Sequence, residues 1–243
     1  MAVLFSACHK KSNDQPTPVP AKFTGCRISE ITQVALDSSS KITYQFSYND
    51  DGTVSKIVSQ TYPGTDEMTK TFTYKTGCII ATTTERSSVS EKESIVLGAQ
   101  DKVVYIDFHN YNGSPPPNEV WDSFSYDNSG YLMSGSYHNY GSFSSQYFEW
   151  KNGDLVWKTF GTDVYTYVYD SGLYNTGNIT ARINDLESYG RGIYTTKHLP
   201  VTAILNSADT LKITYTLDSG GRITYMNDPT NLLPNTLITY MCE

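Results

Sequence analysis

The sequence predicts an all-β fold, an antiparallel meander of tandem β-hairpins curled or closed into a barrel-like sheet. Three observations predict it. A short aromatic phrase ending in glycine recurs along the chain, apolar and polar residues alternate with period two inside each copy, and tyrosine is the leading aromatic, with 20 Tyr against 9 Phe and 3 Trp in 243 residues. Tyrosine suits a strand whose ring is half buried while its hydroxyl finds a polar partner.

The phrase reads Phe46-Ser-Tyr48-Asn-Asp-Asp-Gly52, Phe72-Thr-Tyr74-Lys-Thr-Gly77, Phe124-Ser-Tyr126-Asp-Asn-Ser-Gly130, Phe148-Glu-Trp150-Lys-Asn-Gly153, Tyr167-Val-Tyr169-Asp-Ser-Gly172 and Tyr215-Thr-Leu217-Asp-Ser-Gly220. Alternate residues put the rings on one strand face, and Asn, Asp and Gly supply the conformations of the turn that follows. Tyr48, Tyr74, Tyr126, Trp150, Tyr169 and Leu217 should therefore occupy equivalent positions. Their spacing is 26, 52, 24, 19 and 48 residues, so the two long intervals are each expected to hold a degenerate copy. One falls at Ile95-Val-Leu97-Gly98 before the strand-like Val103-Val-Tyr-Ile106, the other near Gly190-Arg-Gly-Ile-Tyr194. That makes about eight hairpins, and hairpins bury an apolar face only by pairing with their neighbours. The alternation is explicit in Lys41-Ile-Thr-Tyr-Gln-Phe-Ser-Tyr48 and again in Lys212-Ile-Thr-Tyr-Thr-Leu217. No helical periodicity of useful length is present.

A net charge of −7 and a pI near 5.1 argue against nucleic acid, which selects a basic stripe. The only close cationic pair is Lys10-Lys11. The segment Val3-Leu-Phe-Ser-Ala7-Cys8 reads as the end of a bacterial lipoprotein signal, with small residues before a cysteine that would carry lipid. Residues 1–7 are then a signal-peptide remnant and 8–24 a tether, extended by Pro16, Pro18 and Pro20, while 25–243 forms a single repeat-built β domain. Membrane contact would run through that lipid, because no apolar stretch is long enough for a spanning helix. The expected location is the outer membrane, at its cell-surface or periplasmic face.

Several features together resemble one family: Cys26-Arg-Ile-Ser-Glu-Ile31 opening the first strand, the tandem aromatic hairpins, Lys197-His-Leu-Pro200-Val-Thr before the last hairpin, and the terminal Tyr240-Met-Cys242. This order is similar to the DUF4595 lipoproteins of Bacteroidetes, described as having a porin-like β fold, and the single hairpins resemble the YD repeats of RHS-type shells. The resemblance covers about residues 25 to 243 and implies a fold and a compartment, with no catalytic residues to carry over. With Cys8 lipidated, Cys26, Cys78 and Cys242 remain, an odd number that permits one disulfide. Cys26 and Cys242 sit at the two ends of the strand series, which closure of a barrel would bring to within disulfide range, a Cα separation of roughly 4.4 to 6.8 Å. Cys78 is expected to be a free, small strand residue.

Chemical motifs are sparse. His9, His109, His138 and His198 lack the paired spacing of a zinc site, and no Cys-x-x-Cys, phosphate loop or nucleophile elbow occurs. Asn49-Asp50-Asp51-Gly52 and Asp127-Asn128-Ser129-Gly130 resemble the start of a calcium loop but lack its downstream glutamate, and such turns need these residues anyway. No catalytic residue, metal or cofactor is expected. Two segments break the rhythm: Asn110-Tyr-Asn-Gly-Ser-Pro-Pro-Pro117, and Tyr137-His-Asn-Tyr140-Gly-Ser-Phe143, whose Tyr, Ser, Gly and Asn content gives adaptable contact surface. Tyr111, Tyr137, His138, Tyr140 and Phe143 are accordingly the ligand-binding candidates, against the alternative that the second segment is a plain hairpin tip. Three function classes follow: a non-catalytic envelope module that binds a glycan or another envelope component, a purely structural shell or assembly subunit, and a hydrolase with dispersed acids. A membrane pore is a variant that the porin-like description suggests, and the mean hydropathy of −0.41 weighs against it.

Overall fold

Seventeen strands follow one another along the chain in a computed structural model that describes residues 25–64, 66–86, 88–110, 120–139, 141–176, 195–230 and 234–242. The first group is β1 (Cys26–Val34), β2 (Lys41–Tyr48), β3 (Val54–Tyr62), β4 (Glu67–Lys75), β5 (Cys78–Glu85) and β6 (Ser88–Leu97). Next come β7 (Val103–Asn110), β8 (Val120–Tyr126), β9 (Leu132–Asn139), β10 (Ser142–Lys151), β11 (Asp154–Phe160) and β12 (Asp163–Tyr174). The last are β13 (His198–Leu205), β14 (Asp209–Lys212), β15 (Thr214–Leu217), β16 (Ile223–Asn227) and β17 (Asn235–Cys242). Among the described residues the only helical turn is a short 3-10 segment, Ala99–Asp101.

Apart from β14 and β15, each strand pairs antiparallel with the next, and β17 pairs with β1, so the sheet turns back on itself into a nearly closed barrel. The handover occurs at β14 and β15, one run interrupted at Ile213: the first half pairs with β13 and the second with β16. Ile213 N–H still reaches Val201 O at 3.0 Å. Closure removes the unpaired N–H and C=O groups that an open meander would leave along its edges.

The repeat is visible as a ring of side-chain hydrogen bonds. Tyr48 donates to Ile28 O, Tyr74 to Val54 O, Tyr126 to Val103 O, Trp150 Nε1 to Leu132 O, Tyr169 to Leu155 O, Tyr215 to Pro200 O and Tyr240 to Ile223 O, all between 2.7 and 2.9 Å. Each acceptor is the residue paired with the equivalent position of the preceding hairpin: Val54 pairs with Tyr48, Val103 with Leu97, Leu132 with Tyr126, Ile28 with Tyr240. The aromatic at the end of each outgoing strand thus ties its hairpin to the one before. Leu97 takes this position in the degenerate copy expected between Tyr74 and Tyr126. Leu217 also holds it by register, opposite Ile223, but its missing hydroxyl is supplied two residues earlier by Tyr215.

Two expectations need correction, and a third lies beyond what is described. The phrase at Tyr167 makes no tight turn: Asp170 Oδ1 accepts the N–H of Gly172, but β12 continues to Tyr174, which pairs with His198. The second degenerate copy, near Gly190 to Tyr194, lies outside the described residues, and the register steps directly from the pair Tyr169 with Pro200 to Leu217 with Ile223. Eight units still result, because the eighth hairpin is assembled from the two chain ends, β17 and β1. Cys78 is not free either; it is disulfide-bonded to a partner outside the described residues.

Inside the barrel the repeat builds layers. Two residues before each tie lie Phe46, Phe72, Ile95, Phe124, Phe148, Tyr167 and Ile238, all buried, and they form one apolar core with Ile31, Ile57, Ala81, Ile106 and Ala203. Two residues earlier the inward positions are more polar: Tyr44, Lys70, Glu93, Asp122, Gln146, Tyr165 and Thr236. Lys70 and Glu93 form an ion pair there, with Glu93 only 2% exposed. Cys26 and Cys242 are directly paired in register and joined as a disulfide, their Cα atoms 4.0 Å apart. That is just below the lower edge of the expected range, the close approach of directly opposed residues in a narrow antiparallel pair.

Candidate binding face

Period two decides which side chains leave the barrel. On β8, Phe124 and Tyr126 point inward, so Trp121, Ser123 and Ser125 point outward. Register then lines up Asp107 of β7, Trp121 of β8, His138 of β9 and Phe143 of β10 as direct neighbours across four strands. The Trp121 and His138 rings stack at 5.3 Å with planes 8° apart, and Tyr105, one diagonal step away, stacks on Trp121 at 6.0 Å and 26°. Phe143 closes the row and is 62% exposed. At about 4.8 Å per strand the row from Asp107 to Phe143 is about 14 Å long.

Behind the row lie hydroxyls. Ser123, Ser136 and Ser145 form the next line beside Tyr105, and Ser125, Ser134 and the exposed Tyr147 the line after, with Ser125 and Ser134 hydroxyls 2.7 Å apart. Partial burial pushes the Tyr105 phenol above its ordinary pKa, and the nearby Asp107 carboxylate adds to this, so the ring stays a neutral donor. Flat rings flanked by hydroxyls and one carboxylate suit a ligand with an apolar face and a hydroxylated edge. The negative faces of the rings attract C–H dipoles while serine and aspartate meet the rim.

Of the ligand-binding candidates, His138 and Phe143 are in this row. Tyr137 is not: it points inward opposite Asp122 and meets Phe124 edge-to-face at 6.0 Å. Its place one residue from His138 reverses its face. Tyr111 and Tyr140 lie outside the described residues. Trp121, Tyr105 and Asp107 were missed, although counting outward from Phe124 by odd steps marks Trp121.

His198 and Asp154 form a second polar contact. Asp154 Oδ1 accepts the His198 backbone N–H at 2.8 Å and its Oδ2 lies 2.7 Å from Nδ1, with the Tyr174 ring 4.8 Å from the imidazole. These bonds fasten β13 against β11 where the chain returns after Thr176, which accounts for the histidine structurally. Among the described residues no group of three or more His, Cys, Asp or Glu is placed to hold a metal ion.

Comparison with known proteins adds family and fold. A Teneurin YD-shell family model matches residues 24–232. A porin-like protein from Bacteroides uniformis is similar in structure, with a TM-score of 0.64 and 19% identity over 91% of this chain and 98% of that one. A porin-like protein from Bacteroides vulgatus aligns over 89% of this chain and 85% of that one at 12% identity, with a TM-score of 0.26 that carries no argument. No curated protein matches the chain.

Proposed function

Given that the chain belongs to the Teneurin YD-shell family, we propose that it is a shell-like, non-catalytic module of the cell envelope that binds a glycan on its outer aromatic row. The observation that carries the reading is the parallel stack of Trp121 and His138 in register with Asp107 and Phe143. Envelope residence is supported by the lipoprotein-like start at Cys8, the proline-rich 8–24 and the likeness to the DUF4595 lipoproteins. A spanning pore is the weaker variant, since a lipid-facing barrel carries its apolar side chains outside, whereas here the apolar layer faces inward and serines face out.

Glycan-array binding of the folded protein tests the reading. The expected result is binding to at least one oligosaccharide series, weakened about tenfold in Trp121→Ala, the loss of one stacking platform. A wild-type protein that binds no glycan refutes it and leaves the purely structural shell. The anchor has its own readout. Protein made with its full leader should partition into detergent and lose that behaviour in Cys8→Ala. Equal partitioning of both forms would overturn the lipid.

A further inference from the structure

At the opposite end of β9 and β10, where outward Met133 and Glu149 meet the core-packed Trp150, a second feature meets the glycan reading. Pairing of these strands stops at Tyr147 with Ser134; beyond it β10 pairs only with β11, and the strands part. The gap is a pocket of about 370 Å³ lined by Asp127, Tyr131, Met133, Glu149, Trp150 and Asn152. Tyr131 and Trp150 stack at 5.0 Å and 25°, and the indole N–H held by Leu132 O fixes the Trp150 ring in place. Asp127 is fixed as well, its Oδ1 accepting N–H bonds from Ser129 and Tyr131 at 2.9 Å. Gly153 lets the pocket wall come close, since a Cβ there would sit 3.3 Å from Lys197 Cβ and 3.5 Å from the Tyr131 hydroxyl.

We infer that this pocket is a terminal-sugar subsite, so that the ligand of the aromatic row is a glycan gripped by one end. The inference rests on the glycan reading and adds an end-on geometry. The pocket lies at the lower limit of small-ligand sites, a size for a single sugar ring rather than a chain. Its residues offer what a hexopyranose needs on all sides at once: a fixed ring stack for the C–H face, two carboxylates and an amide for the hydroxyls. From Trp121 to Asp127 the strand covers about 20 Å at 3.4 Å per residue. The serine lines between them form a hydroxyl-bearing track along which a glycan chain would continue to the row.

The test compares glucose, galactose, mannose and N-acetylhexosamine monosaccharides with their linear oligomers by titration calorimetry, in the wild type, Glu149→Gln and Trp121→Ala. Monosaccharide binding should fall about tenfold in Glu149→Gln, as loss of one charge-assisted hydrogen bond predicts, and stay within twofold in Trp121→Ala. Trp121→Ala should instead abolish the gain in affinity with oligomer length. Oligomers that bind the wild type while Glu149→Gln changes nothing would overturn the subsite and leave the row standing. A wild type that binds neither monomers nor oligomers would overturn both.

Discussion

Replacing both Cys26 and Cys242 by serine measures how much of the barrel depends on tying its ends. The bond spans 216 residues. In the loop-entropy model a cross-link of that span removes about 18 cal/mol/K from the unfolded chain, or about 5.4 kcal/mol at 25 °C. The native seam keeps its backbone pairing from Arg27 with Met241 to Val34 with Asn235, and Tyr240 keeps its bond to Ile223 O, so the variant should still fold. Urea unfolding followed by tryptophan fluorescence should show a loss of about 3 to 5 kcal/mol, because residual structure in the unfolded chain trims the ideal value. Serine variants are preferable to reductant, which would also open the bond at Cys78. A loss below about 1 kcal/mol would refute the reasoning, since the ends would then be held together in the unfolded state or would not meet in the native one.

Three further outcomes follow from the interior. Tyr240→Phe removes the tie to Ile223 O at the seam and should cost about 1 to 3 kcal/mol in the same urea assay, while Tyr147→Phe, on the exposed face, should cost nothing measurable. Burial raises the phenols of Tyr48 and Tyr240 to about 12, so both are neutral donors in the folded state at pH values where the unfolded chain ionises. Their contribution is complete below pH 10 and should drain away as the pH rises from 10 to 12, visible as an alkaline fall in the urea midpoint accompanied by late phenolate absorbance. Glu93→Ala strands Lys70 in the core and should cost about 3 to 5 kcal/mol in thermal or urea unfolding, whereas the double change Lys70→Met with Glu93→Leu should cost far less.

The hairpin array was legible because each copy carries its own local instructions: a period-two strand and a turn that Asn, Asp and Gly make cheaply. Gly52, Gly77, Gly130 and Gly153 all sit in the left-handed region that their turns demand. At Asp170 to Gly172 the same letters make a local Asx turn that bulges β12 between the pairs Tyr169 with Pro200 and Tyr174 with His198, and the chain rejoins β13 instead of reversing. In the last copy the left-handed glycine is Gly221 rather than Gly220, so the turn from Asp218 to Arg222 makes the same backbone bonds as the turn from Asp127 to Tyr131. The candidate site was half legible. His138 and Phe143 stood out by composition, but Trp121 and Asp107 come from other strands and join them only through register, which depends on bulges such as that between Ser125 and Tyr126. The carbonyl partners of the tyrosines were invisible for the same reason, since each lies 14 to 23 residues earlier in the chain.

Because β17 and β1 make a hairpin like the other seven, the domain has no structural first member. Fusing the ends of β17 and β1 through a short loop and opening the chain at the Thr76-Gly77 or Asn152-Gly153 turn would renumber the molecule without moving a strand. The place where synthesis begins is in that sense free to migrate around the wall, and any segment preceding the barrel would attach at whichever turn was cut. The orientation of the barrel on whatever it is tied to is therefore a separable choice, set by the point of attachment and not by the architecture.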